Sequence, residues 1–387
     1  MKTARDLKLR TPRPSHTARG KDDPGRPLLV IIAALCIVGL VMVLSASSVD
    51  ALRTYGSSWY FFVRQTIYVG LGAVALWFTA RIDYHFWRKF SVPAVGLVLF
   101  LLACVLVPGL GQMTYGARRW LGVGPMQFQP SELAKLALVI FAADILARHP
   151  PQREGPTPLY VVGGVAVVAL FLVMLEPDMG TGMIILGSVL AVLTLGGIPM
   201  NYLGIGVAGI GVVGTFVAIF EPYRRERLLS FADPFKSASG SGYQQVQSLL
   251  GLGSGGIRGV GLGASKARWG FLPNAHTDFI FAIIGEELGL VGGLGVVALF
   301  VALGVFGMRA ATRAPDAFGA LVAGGITAWL VGQAALNMAA VVGALPVTGV
   351  PLPFVSLGGT STIFGMAAAG IVVNIARQRR PAAASAR

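Results

Sequence analysis

The sequence predicts an all-α integral membrane protein of about ten transmembrane helices, with a large extracytoplasmic loop between the seventh and eighth. Three observations predict it. Of 387 residues, 55% are hydrophobic and only 12% charged, about half the charge of an ordinary soluble domain. Long runs carry no Asp, Glu, Lys or Arg, and a bilayer core of about 30 Å needs about 20 such residues per helix. The basic residues behind the net charge of +14 sit mainly at the chain ends and between apolar runs, a placement that orients a membrane protein and gives no reason to expect nucleic acid as a partner.

Residues 1–26 form a basic tail carrying Lys2, Arg5, Lys8, Arg10, Arg13, Arg19, Lys21 and Arg26, which assigns the amino terminus to the cytoplasm. The apolar run after it, Pro27 to Ser47, is too long for a signal peptide and is read as an uncleaved first helix. Runs 65–80, 90–117, 155–175 and 288–308 supply one helix each, and 179–220 and 317–376 two each. Segment 132–148 supplies another despite Glu132, Lys135 and Asp144. The membrane domain is thus 27–376, and a second basic tail, 377–387, lies in the cytoplasm with the short connections at Arg81, Arg88, Lys89, Arg148, Arg153, Arg309 and Arg313.

The connection 221–278 lies outside in this topology although it carries Arg224, Arg225, Arg227, Lys236, Arg258, Lys266 and Arg268; long loops are exempt from the orientation rule. Its aromatic residues Tyr223, Phe231, Phe235, Tyr243, Trp269 and Phe271 predict a folded cap, helical somewhere between 240 and 270 and packed on the helix ends. Cys36 and Cys104 both lie in apolar runs and read as small core residues.

Polar residues in apolar surroundings are the candidate site. Glu132 and Lys135, three apart, project from one helix face. They are either a structural ion pair, or Lys135 meets an anionic substrate while Glu132 holds it. Asp144 and Arg148 read as a surface pair, and Asp178 as a helix cap. Arg64 follows the aromatic cluster Trp59, Tyr60, Phe61 and Phe62, where snorkelling to lipid phosphate is the plain reading. In PNAHTDFIFAIIGEE (273–287), Asp278 stands where the long loop enters the eighth helix, as a cap or as a functional acid. Glu286 and Glu287 follow about 12–14 Å along that helix, where an acid must be paired or protonated. Gly251, Gly253 and Gly256 satisfy GxGxxG without a preceding strand, which argues against a dinucleotide site. The four histidines are too scattered for a metal cluster, and no Walker A string is present.

Five strings, GARRWLGVGPMQFQPSELAKL (116–136), PDMGTG (177–182), SGYQQVQSLLGLGSGGIRGVGLG (241–263), LPNAHTDFIFAIIGEELGLVG (272–292) and LPVTGVPLPFVSLGG (345–359), occur in this order. On them the chain resembles the SEDS family, the shape, elongation, division and sporulation proteins of bacterial wall synthesis, over about residues 28–378, and its division branch more than its elongation branch. One departure is visible: Ser356, Leu357, Gly358, Gly359, Thr360 and Ser361 replace a string that in the family usually has tyrosine at the second position.

The resemblance implies a peptidoglycan glycosyltransferase that polymerises lipid II, the undecaprenyl-pyrophosphate-linked disaccharide pentapeptide, on the outer face of the bacterial cytoplasmic membrane at the division septum. It also implies a class B penicillin-binding protein as transpeptidase partner, with other divisome proteins and membrane lipid around it. In the family the Asp of the HTDF string is essential, which here is Asp278, a general base for an inverting displacement. The leaving pyrophosphate needs cations, and Arg64, Arg119, Lys135, Lys266 and Arg268 are the candidates, or a divalent ion such as Mg2+ or Mn2+. The cofactor is otherwise unassigned, and no protein metal ligands are expected. The alternatives are a lipid II flippase or transporter and a non-catalytic divisome scaffold.

Overall fold

The computed structural model describes residues 23–378 except 115–116, 124–125, 205, 207, 210–230, 232, 238–239 and 241. Its first half runs α1 (Arg26–Tyr55), α2 (Tyr60–Thr79), α3 (His85–Lys89), α4 (Ser91–Leu106), β1 (Gly111–Thr114), β2 (Ala117–Val123), β3 (Met126–Phe128), α5 (Pro130–Arg148), α6 (Pro151–Glu154), α7 (Thr157–Leu175) and α8 (Met179–Leu195). The second half contains α9 (Tyr243–Gly255), a 3₁₀ turn (Ala267–Trp269), α10 (Ile280–Thr312), α11 (Ala317–Val341) and α12 (Gly359–Arg377).

Among the described residues six helices, α1, α2, α7, α10, α11 and α12, are long and apolar enough to cross a membrane, and α4 and α8 are shorter apolar helices. Helical backbone resumes at residue 200, but most of the second helix expected within 179–220 lies outside the described residues. So do Tyr223, Arg224, Arg225 and Arg227 of the long loop. Asp23 pairs with Arg377 at 2.8 Å, so the start of α1 and the end of α12 share one end of the bundle, as an even number of crossings requires. We call this the terminal end and the other, which carries residues 243–278, the loop end.

The bundle is helical as expected, with one difference. The run 90–117 does not continue as helix: α4 stops at Leu106, Pro108 follows within two residues, and Gly109 takes φ 93°. Proline has no N–H to extend a helix, and the chain turns into a three-stranded antiparallel sheet in the order β1-β2-β3 at the loop end. The pair read as a surface contact also differs. Asp144 is 1% exposed and accepts from Arg88 Nε (2.7 Å), Ser91 Oγ (2.6 Å) and Arg148 Nε (2.7 Å). It ties α3, α4 and α5 together at the terminal end.

Two close approaches depend on glycine. Between α2 and α12, a Cβ on Gly370 would stand 2.0 Å from Thr79 Oγ1, whose hydroxyl donates to Ala367 O. The second explains the glycine-rich string after α9. Helix α10 is broken at Gly289 (φ 68°, ψ −164°), and the loop repairs the break. Val260 N and Gly261 N donate to Glu286 O and Glu287 O, while Leu290 N and Val291 N donate to Gly256 O and Ile257 O. The backbone groups orphaned by the kink are thus satisfied without water, as buried peptide groups must be. A Cβ on Gly259 (φ 80°) would come within 2.1 Å of Glu287 O.

Gly259→Ala is therefore expected to lower the melting temperature in detergent by several degrees, an overpacking cost of about 1–3 kcal/mol. Gly253→Ala, whose added Cβ meets no atom within 4 Å, should leave it unchanged or raise it, since alanine favours the helix.

Candidate active site

The site is built around residues 346–358, which join α11 to α12 without regular secondary structure apart from a turn at 353–356. Pro346, Pro351 and Pro353 keep this stretch from becoming helix. It is nonetheless buried: Val350, Leu352, Phe354, Val355 and Ser356 are all at most 2% exposed. Its carbonyls need donors, and amide side chains on the neighbouring helices supply them. Asn337 Nδ2 donates to Val350 O (2.7 Å), Gln333 Nε2 to Pro351 O (2.9 Å) and Gln65 Nε2 to Ser356 O (3.1 Å). Ser356 Oγ accepts from Leu352 N (2.8 Å).

Asp278 meets this segment from the other side. Asn274 takes a left-handed φ of 57°, which asparagine tolerates better than most residues. Its carbonyl accepts from Thr277 N (3.0 Å), closing a turn that ends as α10 begins. The N-cap position of α10 belongs to Phe279, with no side-chain cap hydrogen bond, and Asp278 stands one residue before it. Asn337 Nδ2 also donates to Asp278 O (2.7 Å), so one amide holds both the Asp278 turn and Val350. The half-buried Asp278 side chain borders a cavity of about 10 Å³ together with Asn337, Thr348, Gly349 and Val350. A Cβ on Gly349 (φ 72°) would be 3.6 Å from Asp278 Oδ2.

Next to Asp278, His276 O accepts from Leu357 N (3.0 Å), and its ring lies 4.5 Å from that of Phe61 on α2. Burial holds the imidazole below its usual range, with Asp50 opposing. Leu357, which stands where the family usually has tyrosine, packs against the apolar core.

The other predicted residues divide by what their charges touch. Lys135 is fully buried, 2.7 Å from Glu132 Oε2, and donates to Gln333 Oε1 (2.9 Å). That same oxygen accepts from Trp329 Nε1 (2.9 Å). The pair therefore reaches residues 346–358 through Gln333, one turn before Asn337 on α11. Arg119, on β2, donates to the carbonyls of Glu176 (3.1 Å) and Pro177. Arg64 donates to the hydroxyls of Tyr60 (3.3 Å) and Tyr68 (3.1 Å), and the Tyr68 ring abuts Gly359 at the start of α12. Lys266 is exposed, and Arg268 half-buried beside the Trp269 ring.

Glu286 and Glu287 do not sit unpaired in an apolar layer. Glu286 accepts from Ser265 Oγ (2.5 Å) and Lys266 N (2.8 Å), and Glu287 from Ser45 Oγ (2.7 Å). Glu286 thereby fixes the backbone that presents Lys266 and Arg268. Asp178 caps α8 through Thr181 N (3.2 Å) and accepts from Gln129 Nε2 (3.0 Å). Residues that sequence reasoning missed are Gln65, Gln333, Asn337 and Arg53, which donates to Trp269 O (3.2 Å). Gln333 and Asn337, four apart in an otherwise apolar helix, were the available signal. Gly180, within the PDMGTG string, also borders the segment: a Cβ there would strike Thr348 O at 2.5 Å.

Fold and site together define a class: a multi-helix membrane protein whose loop end carries a carboxylate set against a buried, irregular chain segment. A family model for cell cycle proteins of the FtsW, RodA and SpoVE type matches residues 26–381, and the chain belongs to that family. Stage V sporulation protein E of Bacillus subtilis is 38% identical over 366 residues, covering 93% of this chain and 99% of its own. The probable peptidoglycan glycosyltransferase FtsW of Mycobacterium tuberculosis is 39% identical over 374 residues, covering 94% of this chain and 71% of its own. Among solved structures, a chain from a peptidoglycan synthase complex matches with TM-score 0.76 and 30% identity, covering 91% of this chain and 97% of that one. The rod shape determining protein RodA of Thermus thermophilus matches with TM-score 0.68 and 28% identity, covering 92% of this chain and 97% of that one.

One acid in the turn between α7 and α8 has a testable titration. Glu176 is fully buried, and neither carboxylate oxygen has a hydrogen-bond partner among the described residues. Burial, reinforced by Asp178 and opposed by Arg119, pushes it up to about 9 from the ordinary 4.5. The folded chain thus keeps a proton that the unfolded chain releases, and this contribution to stability falls as pH rises through that window. Glu176→Gln removes the titration. Relative to the wild type, its melting temperature should be higher at pH 9 than at pH 5, measured by thermal scans in one detergent.

Proposed function

We propose that the chain is a peptidoglycan glycosyltransferase that polymerises lipid II on the outer face of the bacterial cytoplasmic membrane during cell division, with Asp278 as general base. The observation that carries this reading is the half-buried Asp278 carboxylate beside Gly349, in a chain 36–39% identical to proteins named peptidoglycan glycosyltransferase. The loop end then faces outward, with Trp59 and Tyr60 at the interface. Arg81, Arg88, Arg148, Arg309 and Arg313 lie inward, as the orientation rule requires.

In the displacement, the acceptor hydroxyl oxygen forms a bond to the anomeric carbon of the donor sugar as the bond to the pyrophosphate oxygen breaks. The hydroxyl proton passes to the Asp278 carboxylate and then to water, and the departing lipid pyrophosphate takes the electron pair. A single displacement inverts the anomeric centre and needs no covalent intermediate. The base must be held still, and Asn337 fixes the backbone of Asp278 and of Val350 beside it. Gly349 leaves the carboxylate face without a side chain. Lys266 and Arg268, carried by the backbone that Glu286 fixes, and Arg64 are the cations we assign to the leaving pyrophosphate. Arg119 and the Glu132–Lys135 pair act through the chain segments they hold. Among the described residues no group of three His, Cys, Asp or Glu side chains can hold a metal ion; a divalent ion would draw most of its ligands from substrate phosphate and water.

A class B penicillin-binding protein is the partner we assign, since polymerised glycan must be crosslinked and a similar chain has been solved within a synthase complex described as coordinating polymerization and crosslinking. Purified protein, its cognate partner and lipid II in detergent should yield glycan polymer, a setting in which flipping across a bilayer has no meaning. Asp278→Asn keeps the size of the side chain but cannot take the proton, so polymer yield should fall by about two to four orders of magnitude while partner binding persists. A near-wild-type rate would remove Asp278 from the mechanism.

The buried pair is tested by reversal, Glu132→Lys with Lys135→Glu. Because the pair touches Gln333 and no substrate in this reading, the double variant is expected to fold and keep measurable polymerisation. Lys135→Met alone leaves Glu132 uncompensated and should cost about 3–5 kcal/mol of stability. A folded double variant without activity, in which Gln333→Ala alone remains active, would make Lys135 a direct substrate contact.

A further inference from the structure

At the terminal end, far from the site above, a cavity of about 100 Å³ opens between the start of α1, the end of α10 and the end of α12. Pro24, Pro27, Phe306 and Ala376 give it an apolar floor, and Arg309 in the last turn of α10 and Arg313 at its C-cap give it a cationic rim. Both arginines are exposed, and among the described residues neither has a carboxylate within 4 Å. Asp23, next to the lining residue Pro24, is engaged by Arg377 through two nitrogens at 2.8 and 3.0 Å. Arg26 adds a further positive charge to the same corner. Arg309 is held over the Phe306 ring at 5.2 Å, so its guanidinium is oriented rather than free to wander. Along α10, directly toward the bundle middle, Val301, Val305 and Met308 are 58%, 44% and 37% exposed, a strip of apolar surface leading away from the cavity.

We propose that this cleft binds the phosphate head of an anionic phospholipid, with Arg309 and Arg313 on the phosphate and the acyl chains lying along Val301, Val305 and Met308. The chemistry fits each part. Guanidinium groups form paired hydrogen bonds with phosphate oxygens, and a cavity of this size has room for several water-sized groups. The plain alternative is that basic residues at this end attract anionic lipid diffusely. A free anion would use the arginines but not the apolar strip, so the two sources can be told apart.

The test uses the full chain in neutral detergent, titrated with phosphatidylglycerol, phosphatidylcholine or inorganic phosphate, and read by melting temperature and by native mass spectrometry of retained lipid. Phosphatidylglycerol should bind saturably and raise the melting temperature, and the other two should not. Arg309→Gln with Arg313→Gln should weaken phosphatidylglycerol binding at least tenfold, and Arg313→Gln alone by less. Arg81→Gln with Lys89→Gln, which removes equal charge from exposed positions at the same end, should change it less than twofold. Equal loss in both double variants would reduce the effect to diffuse attraction and overturn the proposal. Equal stabilisation by inorganic phosphate, or equal retention of phosphatidylcholine, would overturn it as well.

Discussion

The architecture rests on a segment that is neither helix nor strand yet lies inside the helical bundle. In a membrane domain, a peptide carbonyl without a partner costs several kcal/mol, so residues 346–358 can be buried only where neighbours bring donors to them. Gln65 from α2 and Gln333 and Asn337 from α11 do so, and each has a second consequence. Gln65 pins the segment to the helix that carries Arg64. Gln333 gives Lys135 its acceptor. Asn337 reaches Asp278 O. The residues that make the irregular backbone tolerable therefore also set the positions of the charged groups around it.

The same solution appears a second time at the start of α10, with backbone in place of side chains. Gly289 breaks the helix, and the loop segment 256–261 donates and accepts the hydrogen bonds that the kink leaves open. That insertion requires backbone atoms to approach closely, which Gly259 and Gly289 permit, whereas Gly251 and Gly253 of the nucleotide-binding-like string lie on α9. Glu286 lies on this broken turn and binds the backbone of residues 266 and 267. The kink and the presentation of Lys266 and Arg268 are thus one structural event.

Much of the bundle was legible in the sequence because hydrophobic run length is a direct readout of a helix in lipid: the runs 27–49, 155–175 and 317–376 correspond to α1, to α7 and to α11 with α12. The helix in 240–270 and the Asp178 cap were legible for similarly local reasons. What escaped was set by contacts distant in sequence. Nothing near residue 107 announces a sheet except a Pro-Gly pair that ends a helix. Asp144 looks like half of an i,i+4 surface pair until Arg88 and Ser91, more than fifty residues earlier, are brought to it. Gln333 and Asn337 read as tolerated polar residues because neither carries charge, and only the folded chain reveals which carbonyls they serve.

Charge at the loop end follows from the same economy. Lys135 is neutralised by Glu132 and spent on Gln333, and Arg119 is spent on two carbonyls, so each contributes chiefly by fixing neighbouring chain. Lys266, by contrast, is exposed, and its backbone N–H donates to Glu286. An anionic group arriving at this end would meet cations whose backbone is already ordered, so little further ordering of the chain opposes binding. The acids are divided along the same line. Glu286 accepts from a hydroxyl and two backbone N–H groups, Glu287 from the Ser45 hydroxyl, Glu176 is pushed up to about 9 by burial, and Asp278 is half-buried beside Gly349. Asn337 donates to the carbonyls of both Asp278 and Val350, so one amide holds the backbone on either side of that carboxyl group, and the order imposed on the irregular segment is passed directly to the acid that faces it.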